Sequence, residues 1–195
     1  FPFVKGSRYK TVRGVAKAVA TTDEYSHFPY EIENTNLLTE VFEVFPEYSN
    51  RALPFLMFDP SRQAEEQAAF AESLVSRYPV FGLKTAPTYT QSFVRDLWGK
   101  GQAILDLAAK HDLPLLFHSA CHAGDPWSNV FDILELAERR PDLRVCVAHM
   151  ARFCRPALDR IGQMKNVFVD LSALDTHCEM ARRDLVQIAR RAERY

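Results

Sequence analysis

Six short apolar runs, each ending at or beside a polar side chain, set the tightest limit on what this chain can fold into. They cover residues 14–21, 52–59, 80–84, 113–118, 144–149 and 167–171. Each is rich in Val, Leu and Phe, as a strand covered on both faces requires. Between them, residues 62–78, 91–111, 130–139, 155–164 and 183–192 carry apolar side chains at helical spacing. A shorter helix is expected over 36–45, ending before Pro46, and the polar, aromatic segment 22–36 reads as an elaborated loop. Pro126 and Pro156 are each expected in the first turn of a helix. Strand and helix in alternation imply an α/β fold, a parallel sheet with helices outside it. No Gly-x-Gly-x-x-Gly or Gly-x-x-x-x-Gly-Lys-Ser/Thr follows a run, which argues against a nucleotide-binding Rossmann or P-loop fold.

Composition removes several function classes. A chain of 195 residues favours one domain, 1–195. A net charge of -1 provides no field for nucleic acid. No stretch of about eighteen apolar residues is available for a membrane span. Cys121, Cys146, Cys154 and Cys178 form no Cys-x-x-Cys pair, so a zinc ribbon or thioredoxin-type centre is not expected. Cys146 lies inside an apolar run and reads as core packing. The absence of a disulfide framework points to a reducing, cytoplasmic compartment. The chain opens with Phe1 and not Met, and the expectation is of a processed or truncated chain.

The chemistry is concentrated where the runs end. The run 113–118 passes straight into His118, the run 144–149 into His149, and the run 80–84 into Lys84. In a βα barrel, residues at the carboxyl ends of strands line the active site. Two histidines on successive strands put two imidazoles side by side at one rim, and neutral imidazole is the commonest ligand for zinc-like ions. The competing reading is a pair of hydrogen-bonded structural histidines. Lys84 is read either as the binder of a substrate carboxylate or as a salt-bridged rim lysine. His122, four residues after His118, is a candidate substrate contact or a surface residue. Asp170 is either a supporting partner of the site or a buried structural carboxylate. Cys121 has no partner in the sequence that would activate it as a nucleophile. His27, His111 and His177 read as surface residues.

The strings Leu113-Pro-Leu-Leu-Phe-His118, Pro141-Asp-Leu-Arg-Val-Cys-Val-Ala-His149, Asn166-Val-Phe-Val-Asp-Leu-Ser172 and Phe81-Gly-Leu-Lys84 together resemble the amidohydrolase-related group of the metal-dependent hydrolase superfamily. That group includes decarboxylases of the aminocarboxymuconate-semialdehyde and resorcylate type, and lactone hydrolases. The resemblance spans residues 36–174. It implies a (β/α)8 TIM barrel, with the six runs as strands two to seven, and a divalent metal, Zn²⁺ being expected. His118 matches the fifth-strand ligand and His149 the sixth-strand histidine, with a catalytic role for His149 and Lys84. In binuclear relatives the lysine is carboxylated and bridges two metals. The implied function is hydrolysis, or non-oxidative decarboxylation, of a small carboxylate, lactone or amide. Two departures stand out: no His-x-His occurs, and the final strand's Asp in its Gly-Ser/Thr-Asp setting is missing. The alternative is a catalytically incomplete barrel that serves as a binding or assembly module. A barrel short of its outer strands exposes sheet edges, so a homo-oligomer is also expected.

Overall fold

The structure is a computed structural model that describes residues 27–174 and residue 186. The run 14–21, His177, Cys178 and the expected helix 183–192 apart from Val186 lie outside the described residues. The other five runs form strands: β1 (Phe55–Met57), β2 (Gly82–Thr85), β3 (Leu115–Phe117), β4 (Val145–Val147) and β5 (Val167–Val169). All pair in parallel, in the order β1-β2-β3-β4-β5. Chain order and spatial order coincide. A doubly wound sheet reverses direction at a switch point, whereas a barrel adds each new strand on the same side. This sheet is an arc of a TIM barrel.

Register fixes which side chains face which way. Leu56, Leu83, Leu115, Val145 and Val167 align across the sheet and are all buried. They face the outer helices α2 (Ala64–Val75), α3 (Gln102–Lys110), α4 (Val130–Arg139) and α5 (Arg155–Ile161). On α4 the buried set is Val130, Ile133, Leu134, Leu136 and Ala137, while Phe131 and Arg139 point out. That spacing gives a single apolar stripe against the strands. Asn129 caps α4, its Oδ1 accepting from Phe131 N at 3.0 Å. Strands alternate sides, so the neighbouring row points the opposite way. It comprises Met57, Lys84, Leu116, Cys146 and Phe168, none of them buried. This second row is the lumen face of the barrel. Cys146 belongs to it, so its expected place in the core is corrected.

Other boundaries also differ from expectation. Helix α1 begins at Glu31, inside the supposed loop 22–36, and runs to Thr39 before a wider turn over Glu40–Val44. Glu31 and Glu33 in its first turn complement the helix dipole. The expected helix 91–111 is split into a 3-10 segment, Val94–Trp98, and α3. The break is at Gly99-Lys100-Gly101. A Cβ at Gly101 would sit 2.7 Å from the Pro60 carbonyl oxygen and 2.9 Å from Leu97 Cα, so only glycine fits there. Pro126 opens no helix and stands in the loop ahead of Asn129; Pro156 does occupy the first turn of α5.

Among the described residues, the edge of β1 away from β2 is met by a side chain of α1. Asn34 of α1 accepts from Met57 N at 2.7 Å and donates to Met57 O at 2.9 Å. One amide thereby satisfies both backbone groups that a paired strand would have taken.

Candidate metal centre

His118 lies one residue beyond β3, and its backbone N–H donates to Thr85 O at 3.0 Å, extending the ladder to β2. It is on the lumen side, continuing the row from Leu116. His149 follows β4 by two residues and opens a left-handed turn. Residues His149, Met150, Ala151, Arg152 and Phe153 all have φ between 49° and 59°. Such a run of non-glycine residues is rare, because each Cβ crowds the following carbonyl at a cost of roughly 1–2 kcal/mol. Hydrogen bonds from β5's end hold it. Asp170 Oδ1 accepts from His149 N at 2.8 Å, and Asp170 O accepts from Met150 N at 2.8 Å. Asp170 Oδ1 also accepts from Ser172 N at 3.0 Å and Ser172 Oγ at 2.6 Å. Asp170 is therefore the partner that fixes the backbone of His149.

The two imidazoles converge. His118 Nδ1 lies 3.0 Å from His149 Nε2, with the rings inclined at 71°. His149 Nδ1 lies 2.8 Å from the Ser172 carbonyl oxygen, which only accepts. The Nδ1 of His149 must therefore carry the proton, and its Nε2 lone pair points at His118. Burial is the main cause that pushes His118 down to about 4, with the charges of His149, Lys84 and Arg152 adding to it and Asp125 opposing. Burial thus leaves the His118 ring neutral near pH 7.

These nitrogens fit a divalent ion. Two ligands about 2.0–2.1 Å from one ion and roughly 90–110° apart stand about 2.8–3.4 Å from each other. The observed 3.0 Å lies within that interval. The fixed tautomer of His149 is the kind of outer support that metal-ligating histidines use. Among the described residues, no third His, Cys, Asp or Glu joins them in a ligand cluster. Asp125 Oδ2 is 3.9 Å from the far nitrogen of His118, Nε2, and is engaged by Thr88 Oγ1 at 2.5 Å.

The remaining expected site residues separate. Lys84 faces the lumen and makes no ion pair among the described residues. Burial lowers its amine below the usual lysine range, partly offset by the charge of Asp170 and then by Cys146. The rim salt bridge considered for it is not formed there. His122 is exposed in the loop after β3 and lines a shallow pocket with Cys121, Asp125 and Asn129. Nothing brings it against His118 or His149. His111 ends α3 and meets Glu72 at 2.8 Å, as a surface histidine would.

Two polar residues of structural weight were not signalled. Asp59, at the end of β1, is completely buried. Its carboxylate accepts from Ser61 N at 2.9 Å, Ser92 Oγ at 2.7 Å and Arg62 Nη1 at 2.5 Å. Arg152 sits at the rim of the histidine pair, its Nε donating to Ser119 O at 3.3 Å.

The parallel strands form an arc of a βα barrel, with His118 and His149 together at its carboxyl rim. The family model for amidohydrolases matches residues 16–194, and the chain belongs to that family. An amidohydrolase 2 from Bifidobacterium longum subsp. infantis is 15% identical, with a TM-score of 0.50, over 98% of this chain and 73% of that one. A dihydroorotase from Campylobacter jejuni is 17% identical, with a TM-score of 0.46, over 69% of this chain and 38% of that one. The chain therefore spans well under half of the dihydroorotase's length. No curated protein matches the sequence closely. Membership of the family implies a divalent metal. Among the described residues, no helix is long and apolar enough to cross a membrane.

Proposed function

We propose that this chain supplies the metal-holding part of a hydrolase active site, with His118 and His149 as ligands to one divalent ion, Zn²⁺ by preference. The observation that carries the reading is the 3.0 Å approach of His118 Nδ1 to His149 Nε2, with the tautomer of His149 set by the Ser172 carbonyl. An ion bound there supplies Lewis acidity toward a carbonyl or carboxyl group. Two nitrogens leave it short of the three protein ligands common in catalytic zinc sites, so a further donor comes from beyond the described residues. Lys84, a lumen-facing amine without an ion pair among those residues, binds a negatively charged group of the substrate. His122 borders the approach through the loop after β3. The substrate is a small carboxylate, lactone or amide, cleaved at a C–N or C–O bond, or decarboxylated without redox change as in the aminocarboxymuconate-semialdehyde type.

The test is metal content by mass spectrometry after exposure to Zn²⁺, Mn²⁺ and Co²⁺ and removal of excess ion. The expected result is one ion per chain in the parent and none in His118→Ala or His149→Ala, with chelator sensitivity of any hydrolytic activity. A parent that retains no stoichiometric ion and keeps its activity in chelator would overturn the metalloenzyme reading. It would favour the incomplete barrel acting as a binding or assembly module.

A further inference from the structure

Arg152 has an uncommon place and an unspent charge. Arg62, Arg139, Arg140, Arg144, Arg155 and Arg160 each meet a carboxylate, whereas Arg51, Arg77, Arg95 and Arg152 meet none among the described residues. Arg152 forms no ion pair among the described residues; its Nε is held by the Ser119 carbonyl, next in sequence to His118. Ser119 is itself fully buried and donates from Oγ to Ala148 O at 2.7 Å, tying the β3 rim to the β4 rim. The guanidinium is thus anchored through one N–H between the two histidine-bearing segments. The nearby carboxylates are committed elsewhere. Asp125 accepts from Thr88 Oγ1 and Ser128 N, and Asp170 from His149 N and Ser172.

The backbone places this side chain at a cost. Arg152 has φ 49° and ψ 36°, inside the left-handed turn that begins at His149. Strain of this kind persists only where the surroundings enforce it, and it clusters at sites that hold ligands. Lys84 adds a second cation, on the lumen face of β2 in the row that leads through Leu116 to His118. The rim around the histidine pair therefore carries two positive groups with no paired carboxylate among the described residues.

We infer that Arg152 is a substrate-binding residue whose outer guanidinium N–H groups take a carboxylate, selecting small carboxylic acids whose second functional group lies toward His118 and His149. The inference deepens the function proposed above and rests on that reading for the identity of the reacting centre. A guanidinium presents parallel N–H donors that match the two oxygens of one carboxylate, which an ammonium cannot do. Tethering Nε orients the remaining donors before the ligand arrives.

The probe is malonate, a small dicarboxylate, with its neutral diamide, malonamide, as control. Phenylglyoxal labels accessible arginines, and peptide mass spectrometry reads each site. Arg155, on the exposed start of α5, serves as the internal reference. Malonate should slow labelling of Arg152 at least tenfold and leave Arg155 unchanged, with malonamide and matched sodium chloride giving no protection. Arg152→Asn, which the left-handed backbone accepts, should weaken malonate binding by calorimetry at least tenfold, with Arg152→Lys intermediate. Metal content is measured on the same samples. Protection by chloride or malonamide equal to that by malonate would overturn the inference, as would unweakened malonate binding by a folded Arg152→Asn. If that variant does not fold, labelling of the parent still decides. A parent that holds no metal refutes the function proposed above, while protection of Arg152 continues to report on its own role.

Discussion

Two stretches of the same sheet rim treat their polar groups in opposite ways. At the end of β1, Asp59 is buried and both its oxygens accept hydrogen bonds, from Ser61, Ser92 and Arg62. Arg62 in turn donates to Thr90 O at 2.8 Å. Nothing is left over to meet a ligand. At the ends of β2 and β4, Lys84 and Arg152 are also drawn out of solvent, but form no ion pair among the described residues, while His118 and His149 turn toward each other. Drawing a charge out of water without an opposite charge beside it is costly, and such groups collect where a fold meets a ligand. The rim at Asp59 is closed on itself, whereas the rim at His118 and His149 carries two cationic side chains without ion pairs among the described residues.

Substitutions that exchange these two properties test the contrast. The largest effect is expected at the histidines. His149→Ala removes the lone pair aimed at His118 and should lower ion affinity at least 100-fold by competition with a chelating dye, with a change in melting temperature too small to explain it. Asp59→Ala should do the reverse. Losing a buried carboxylate that ties Ser61 and Arg62 to Ser92 should cost about 3 kcal/mol by denaturant unfolding, leaving ion uptake intact. Equal loss of both properties in either variant would erase the distinction between the two rims.

Acid sharpens the comparison further. The pKa of His118 is pushed from 6.5 down to about 4 in the folded chain. Between those values the unfolded chain binds the proton and the folded one does not, so stability falls as pH drops. The metal-free protein should lose about 3 kcal/mol between pH 6.5 and pH 4, all of it retained above pH 6.5. His118→Asn should flatten that slope in pH-dependent urea titrations. The smallest effect is expected inside the left-handed turn. Ala151, at φ 51°, is fully buried. Ala151→Gly relieves backbone crowding but gives up a buried methyl, for a net gain of about 0.5 kcal/mol by thermal unfolding.

Much of this was legible in the chain because strand ends are easy to find. Apolar runs passing into Lys84, His118 and His149 place those residues at one rim, and parallel pairing follows from the intervening helical patterns. The lumen row was not legible. In short runs buried on both sides, apolar content hides the two-residue alternation, so Cys146 looked like core. The turn at His149–Phe153 was invisible, since His-Met-Ala-Arg-Phe contains no Gly or Asn to announce a positive φ. Arg152 went unnoticed with it, because its position depends on that backbone. Asn34 and Asp59 act through contacts 23 and 33 residues distant, to Met57 and Ser92, which no local pattern encodes.

The left-handed turn also carries information about time. Its dihedrals are unfavourable for every residue in it, so it has no means of forming before its scaffold exists. The bonds that impose it come from Asp170, at the far end of β5, and can be made only after β4 and β5 have paired. Assembly of this corner therefore follows the pairing of β4 with β5. Changes within it should alter how fast the native chain comes apart and leave the rate of its formation almost untouched.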